Sequence, residues 1–116
     1  MSNMLNDFHE TVIRHSLMPG NIAYNGNALA GEVGEVCNNI KKILMARANP
    51  EWVTQEVNPL MCEEEFKKKL ADELGDVLFY VKRVAMDFDL SITDIMKLQI
   101  IKLADQSNKY GRTFLK

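Results

Sequence analysis

The stretch LAGEVGEVCNNIKKI, residues 29–43, decides the fold. Its apolar side chains recur at steps of four and three residues: Leu29, Val33, Val36, Ile40 and Ile43. This spacing places them on one face of an α-helix, which is the pattern of a helix with one buried side. We therefore predict a helix over about residues 27–46, preceded by a loop that contains Asn21, Asn25 and Gly26.

The same helical spacing recurs in three further segments. Leu5 to Ile13 predict a first helix, which ends at Pro19-Gly20. A third helix is predicted over about residues 63–88, and its apolar stripe is Leu70, Leu74, Val77, Val81, Val84 and Phe88. Ser91 followed by Asp94 predicts the N-cap of a fourth helix, which ends before Tyr110.

Residues 47–61 contain Pro50 and Pro59 without a clear period, so we interpret them as a loop. No segment alternates with a period of two for long enough to form a strand. The expected architecture is all-α and four-helix bundle-like, and a chain of 116 residues is the size of a single domain, residues 1–116.

Composition and sequence motifs disfavour several classes of function. A formal net charge of −2 gives no basic field for a nucleic-acid polymer, and no apolar run approaches the ~20 residues that cross a bilayer. The N-terminus does not resemble a signal peptide. Cys37 and Cys62 form no disulfide framework, which favours reduced thiols and a cytoplasmic protein. No P-loop or dinucleotide glycine motif is present.

Two acidic motifs share one pattern, Glu32-Val-Gly-Glu35 and Glu73-Leu-Gly-Asp76. Each pair follows i, i+3 spacing and lies about 100° from the apolar stripe of its helix, at the edge of the core. If the second and third helices pack antiparallel, the four carboxylates converge and repel one another unless a cation lies between them. Oxygen ligands of this kind suit Mg²⁺ or Mn²⁺. Such pairs are also common on solvated helix faces, so a simple surface role stays open.

Three glycines lie inside these helical motifs, at Gly31, Gly34 and Gly75. A glycine inside a helix lowers the stability of the helix by about 1 kcal/mol relative to alanine, so we expect these glycines to have a specific role. We predict that the glycines allow a close approach by the facing helix, by a phosphate, or by both.

The runs LAGEVGEV (29–36), IKK (40–42) and DELGDVLFYV (72–81) resemble the MazG-like nucleoside triphosphate pyrophosphohydrolases of the all-α NTP pyrophosphatase superfamily. The family signature is E-x-x-E followed by E-x-x-D on the next helix. The resemblance implies hydrolysis of a nucleoside triphosphate between its α and β phosphates. It also implies that Mg²⁺ is bound by four carboxylates, Glu32, Glu35, Glu73 and Asp76, and that Glu32 or Glu35 is the general base.

The resemblance further implies a set of substrate contacts. Tyr80 matches a family position that lines the nucleotide site, and Asn39, Lys42 and Arg83 share the faces of the two motifs. On the last helix, Lys102 or Lys109 is expected to reach phosphate. Here the sequence departs from the family, because Gln99 replaces an Asn and no Arg follows until Arg112. The segment 47–61 is also longer than usual.

Small members of the superfamily assemble into dimers or tetramers, so the resemblance implies a homo-oligomer, with no nucleic-acid or membrane partner. Two alternatives stay open. The same site could act on another pyrophosphate nucleotide, such as an alarmone, or the chain could be a non-catalytic helical interaction protein with a metal site. His9 and His15 are expected to be structural or exposed, and Trp52 to anchor its loop.

Overall fold

The computed structural model describes residues 3–48 and 63–110, and these are helical apart from short connections. The helices are α1 (Met4–His15), α2 (Ile22–Ala48), α3 (Glu63–Asp87) and α4 (Ile92–Tyr110). No strand occurs in the described ranges, which confirms the all-α prediction and the number of helices. Residues 47 and 48 continue α2, and the rest of the predicted 47–61 loop, with Trp52, lies outside the described residues.

Helix α1 begins with a side-chain cap and packs against α3. The Oδ1 atom of Asn3 accepts a hydrogen bond of 2.8 Å from the backbone N–H of Asn6, which satisfies one of the donors that the first turn leaves free. Val12 is fully buried. The helix is thus held by one apolar anchor and by its contact with α3.

Helix α2 begins at Ile22, five residues before the predicted start. Asn21 is its cap, because its side-chain oxygen accepts a 2.9 Å hydrogen bond from the N–H of Tyr24. Asn25 and Gly26 therefore lie inside the helix, and the prediction of a loop there was wrong. Asn25 is 1% exposed and uses its amide for contacts with other parts of the chain, so a polar residue that suggested a loop is part of the interior.

The main packing interface joins α2 to α3. Contacts between the two helices run in opposite order along the chain, since Asn39 meets Glu73 and Asn25 meets Asp87, so the pair is antiparallel as predicted. The predicted apolar stripes are covered only in part. Val33, Ile40 and Leu74 keep 44%, 40% and 45% of their surface exposed, because no other described helix covers that side of the hairpin.

The connection from α3 to α4 has the hydrogen bonds of a Schellman motif. The N–H of Leu90 donates to the carbonyl of Ala85 at 2.8 Å, and the N–H of Asp89 donates to that of Met86 at 3.1 Å. Asp89 takes the left-handed conformation, with φ of 58°, that such a cap requires. Ser91 Oγ then accepts from the N–H of Asp94 at 3.0 Å, which confirms the predicted N-cap of α4.

Helix α4 forms no extensive interface with another described helix. Leu98, Ile100 and Ile101 are 67%, 64% and 64% exposed. The Cα radius of gyration is 18.1 Å, whereas a compact domain of this length has a radius of about 13 Å. The four helices of one chain therefore do not close into a bundle. No described helix has the length and apolarity of a membrane span.

Candidate metal centre

Three carboxylates converge where α2 and α3 pack. Glu32 of α2 and Glu73 and Asp76 of α3 each offer one oxygen, and these oxygens lie within 4.8 Å of one another. We call these three residues the acidic cluster. Glu73 and Asp76 project from neighbouring turns of α3, and the antiparallel packing brings Glu32 to them. The structure therefore brings together the two acidic motifs that the sequence placed on facing helices.

Asn39 fixes one member of this cluster. It is 8% exposed, and its Nδ2 lies 3.4 Å from Oε1 of Glu73, to which it donates a hydrogen bond. Seven residues separate Asn39 from Glu32, which is about two turns of α2, so both side chains face α3. Asn39 therefore lies at the acidic cluster, where it orients a carboxylate, and its contact with substrate stays a prediction.

The negative charges of the cluster repel one another. Burial raises the pKa of Glu32 above its ordinary value of 4.5, and the charges of Asp76, Glu73 and Glu35 raise it further. Lys42 and Arg83, the cations on the same two helix faces, form no ion pair with the three carboxylates in the described part of the chain. A set of oxygen donors at this spacing can hold a divalent cation.

The fourth predicted ligand, Glu35, is placed differently. Its side chain is exposed, and it is not among the three carboxylates whose oxygens meet. It still lies close enough to raise the pKa of Glu32 by its charge. The structure thus gathers three of the four predicted carboxylates and leaves Glu35 at the open side of the group.

A pair of tyrosines borders the acidic cluster. Tyr80 is half-buried, and its ring meets that of Phe79 edge to face at 5.0 Å. Burial raises the pKa of Tyr80, with further contributions from Tyr24, to which its side chain is hydrogen-bonded, and from Glu32 and Asp76. Sequence reasoning missed Tyr24, because it was assigned to a loop. A correct helix start would have placed it about two turns before Glu32.

Arg83 takes part in a separate buried group, which we call the Asp87 network. Its Nε and Nη2 atoms lie 3.1 and 2.9 Å from Oδ1 of Asp87, and its Nη1 lies 3.1 Å from Oγ of Ser16. Asp87 also accepts hydrogen bonds from the N–H of Gly20 at 2.9 Å and from Nδ2 of Asn25 at 2.8 Å. The guanidinium of Arg83 is thus engaged within the fold, which does not support the substrate contact predicted for it.

The Asp87 carboxylate is stabilised in its charged form. Burial raises its pKa, but hydrogen bonds from Asn25, Gly20 and Arg83, together with the guanidinium charge, outweigh burial and hold the pKa below the ordinary 3.8. The Asp87 side chain has no exposed surface. This group therefore joins the end of α1, the α1–α2 connection and the C-terminal end of α3.

The predicted phosphate-binding lysines lie at the surface. Lys42 of α2 and Lys102 and Lys109 of α4 have exposed side chains. In the described part of the chain, Lys42 and Lys102 form no ion pair with the acidic cluster. Arg112 lies outside the described residues. Cys37 is exposed as a free thiol, and His15 is exposed as expected.

The glycines of the acidic motifs do not mark a close contact between α2 and α3. A Cβ atom added at Gly31, Gly34 or Gly75 would meet no described atom within 4 Å. The prediction that the facing helix requires these glycines was therefore wrong for the single chain. That a phosphate approaches the backbone of these glycines stays a prediction.

Comparison with known proteins identifies the chain. Residues 22–110 match the family described as the MazG nucleotide pyrophosphohydrolase domain. The chain is also similar to the Gene 37 protein of Mycobacterium phage L5, with 31% identity over 88 residues that cover 76% of this chain and 68% of the phage protein. No solved structure matches the chain. From the family match, which spans α2 to α4 with the acidic cluster, the chain belongs to the MazG nucleotide pyrophosphohydrolase domain family.

Proposed function

We propose that the protein is a Mg²⁺-dependent nucleoside triphosphate pyrophosphohydrolase, which cleaves an NTP or dNTP between the α and β phosphates to give a monophosphate and pyrophosphate. The observation that carries the proposal is the convergence of Glu32, Glu73 and Asp76 on the seam of a chain from the MazG family. Three converging carboxylates repel one another unless a cation lies between them, and their oxygens suit the cation that accompanies a nucleotide.

In this proposal Glu32, Glu73 and Asp76 hold the metal, and Glu35 completes the set from the open side. A bound Mg²⁺ would offset the charge of the triphosphate and lower the pKa of a coordinated water. Mn²⁺ is expected to substitute for it, because it shares the preference for oxygen ligands. Asn39 keeps Glu73 in the orientation that ligation requires, through the hydrogen bond between them.

In this proposal a glutamate of α2 is the general base that accepts the proton of the attacking water. Glu35 is exposed and lies one turn from Glu32, so it can approach a water at the open side of the cluster without giving up a buried contact. Glu32 is the alternative base, because its raised pKa shows an environment that favours the protonated form. These two are the proposed catalytic residues.

The tyrosine pair is assigned to the nucleotide. Tyr80 lies beside the carboxylates and is hydrogen-bonded to Tyr24, so the two rings form a wall against which a nucleoside can lie. Lys42, Lys102 and Lys109 are proposed to contact phosphate. All three side chains are exposed. Lys42 lies on α2 beside the site, and the two lysines of α4 would reach a site from the same chain or from a second copy.

A second copy is proposed because one chain leaves too much apolar surface open. Leu98 and Ile101 on α4, and Leu78 on α3, are each more than half exposed. Packing α4 of one protomer against another chain would cover this surface, so we propose a homodimer or homotetramer. Sedimentation of the purified protein at micromolar concentration tests this, and a monomer at all concentrations would contradict it.

The remaining features follow from the same proposal. Residues 1–116 form one catalytic domain, and its partner is the nucleotide substrate rather than a nucleic-acid polymer or a membrane. We assign the protein to the cytoplasm, where nucleotides are found and where the exposed thiol of Cys37 stays reduced.

The test is product analysis with purified protein, Mg²⁺ and eight NTPs and dNTPs supplied singly. Ion-exchange chromatography separates monophosphate with pyrophosphate from diphosphate with phosphate, so the bond that breaks is read directly. The variant Asp76→Asn is matched by Asp72→Asn, an exposed carboxylate one turn earlier on α3.

We expect turnover of at least one nucleotide, a loss of about 10²–10³-fold in Asp76→Asn, and near wild-type activity in Asp72→Asn. Mg²⁺ binding without turnover of any of the eight nucleotides would contradict the proposal. It would favour either a different pyrophosphate nucleotide or a metal-binding interaction protein.

A further inference from the structure

A cavity of about 500 Å³ lies on the side of α3 away from the acidic cluster. It is bounded by α1, by the last turns of α3 and by the beginning of α4. Lys82 and Met86 are the α3 residues that line it. Lys82 follows Tyr80 by two residues, which turns it about 200° around the helix axis. The cavity is therefore separate from the metal centre, and its volume is within the range of small-ligand sites.

Lys82 is the feature that the fold does not explain. The residue is only 8% exposed, yet it makes no hydrogen bond or ion pair with any residue of the described ranges. A nearly buried lysine usually has a partner for its ammonium group, whereas the nitrogen of Lys82 is left in contact with solvent. Because the side chain lines the cavity, the ammonium group is directed to a space that a ligand can occupy.

The start of α4 adds donors to the same space. Ser91 and Thr93 line the cavity, and α4 is a long helix that begins between them at Ile92. Ser91 satisfies the N–H of Asp94 with its hydroxyl and that of Ile95 with its carbonyl. The N–H groups of Ile92 and Thr93 make no hydrogen bond within the described residues, so they and the helix dipole favour an anion here.

The rest of the wall limits what that anion can be. Phe8 and Met86 supply apolar surface, which suits an organic body rather than an inorganic ion. Asp89 also lines the cavity, so its carboxylate offsets the charge of Lys82 and disfavours an ion with several negative charges. His9 lines the cavity as well and adds a ring nitrogen that can donate or accept.

We propose that this cavity binds a small organic oxyanion with a single negative charge. The oxyanion accepts hydrogen bonds from Lys82 and from the first N–H groups of α4, and the apolar body of the ligand lies against Phe8 and Met86. A carboxylate on an aromatic or branched body is the favoured chemistry, and a phosphate monoester shares the same contacts with an additional charge that Asp89 opposes. The site is independent of the proposed pyrophosphohydrolase activity.

The test uses benzoate and phenyl phosphate as probes, with benzyl alcohol as the neutral counterpart. Binding to the full chain is followed by ligand-detected NMR in EDTA, because without a divalent cation the acidic cluster repels anions. The variant Lys82→Met keeps the length of the side chain without its charge, and Lys82→Arg restores a cation. Lys69→Met, an exposed lysine near the other end of α3, is the matched control.

We expect benzoate to bind more tightly than phenyl phosphate, and benzyl alcohol to bind weakly. Lys82→Met should weaken benzoate binding by about 10- to 100-fold, the effect of losing a charged hydrogen bond, whereas Lys82→Arg and Lys69→Met should retain it. In the wild-type protein, bound benzoate should show intermolecular NOEs to the methyl group of Met86, a measurement that does not depend on whether a variant folds.

Three results would overturn the proposal. One is the absence of binding by both anions, and another is binding that Lys82→Met leaves unchanged. The third is a change of oligomeric state in Lys82→Met without any anion binding, which would assign Lys82 to a carboxylate of a second copy.

Discussion

The same face of α3 carries two groups of carboxylates that have opposite environments. Glu73 and Asp76 lie in the acidic cluster with Glu32, and three turns along the face Asp87 lies in a network with Arg83 and Asn25. The pKa of Asp87 is lowered, because amides and a guanidinium satisfy its charge. The pKa of Glu32 is raised, because burial and neighbouring carboxylates oppose its charge.

The comparison distinguishes a carboxylate that stabilises the fold from carboxylates that the fold alone does not explain, all on one helix. The Asp87 network contains its own counter-charge and its own donors, so the fold alone accounts for it. The acidic cluster receives a hydrogen bond from Asn39 but, in the described residues, has no guanidinium partner like that of Asp87, so a cation from outside would relieve the repulsion among its carboxylates. Removing a carboxylate should therefore have opposite effects on the stability of the metal-free protein at the two places.

The largest effect is expected at Asp87. Replacing Asp87 by Ala leaves the buried guanidinium of Arg83 without its partner and frees donors on Asn25 and Gly20. We expect the free energy of unfolding to fall by about 3–5 kcal/mol, as for other broken buried ion pairs. Urea denaturation measures this, with exposed Asp105→Ala as the control. A loss no larger than that of the control would show that the network does not hold the fold together.

The next effect concerns metal linkage at Asp76. Wild-type protein with Mg²⁺ at 100 times its Kd should gain about 2.7 kcal/mol over protein in EDTA. Asp76→Asn should lose most of this gain, while in EDTA it should be as stable as wild type or more so, because a repulsion is removed. Thermal unfolding with and without Mg²⁺ checks both, and Asp72→Asn should keep the full gain. A variant that is less stable in EDTA would contradict the comparison.

A smaller effect is expected at the helical glycines. Gly34→Ala adds a methyl group that meets no described atom, so the metal-free protein should become more stable by about 1 kcal/mol. Chemical denaturation measures the change, with Gly75→Ala as the equivalent on α3. If Gly34→Ala stabilises the chain but lowers turnover, the added methyl group obstructs a ligand that approaches this part of the α2 backbone. A destabilised variant would instead mean that a second chain does so.

The smallest effect is a dependence on pH, with opposite signs at the two groups. Because the pKa of Glu32 is raised above 4.5, the folded state binds more protons there, and stability in EDTA should rise as the pH falls through the folded pKa towards 4.5. Because the pKa of Asp87 is lowered below 3.8, its contribution is complete above that value and is lost as the pH falls through the folded pKa.

We therefore expect the metal-free protein to be most stable in weakly acidic solution, with a gain over neutral pH of a few tenths of a kcal/mol, typical of like-charge pairs. Thermal unfolding in EDTA across the pH range measures this. Glu32→Gln should abolish the acid gain and keep the loss at low pH. An acid gain of the same size in Glu32→Gln would assign the effect to another group.

The sequence predicted what depends on local spacing. The apolar period predicted the four helices, and the i, i+3 acids predicted the helix faces that meet at the acidic cluster. It failed where a polar residue has a distant partner. Asn25 suggested a loop because its partner Asp87 lies 62 residues away, and Arg83 suggested a phosphate contact because its place on the helix face matched that of the acids.

The burial of the apolar stripes could not be predicted either. A helical period shows that a face is apolar, not which chain covers it, and Val33, Ile40 and Leu74 stay largely open in the single chain. The membership of the acidic cluster could not be predicted fully either, because the i, i+3 spacing does not distinguish Glu35 from Glu32. The packing of α2 on α3 places Glu32 among the three carboxylates that meet, with Glu35 close enough to act on it by its charge.

The Asp87 network also has a consequence for the order of folding. The bond from Arg83 to Ser16 joins residues 67 apart, whereas the bond from Asn39 to Glu73 joins residues 34 apart. Each doubling of a closed loop costs about 0.6 kcal/mol more in chain entropy. The α2–α3 hairpin is therefore expected to form first and α1 to dock afterwards, so in native-state hydrogen exchange the amides of α1 should exchange before those at the centre of the hairpin.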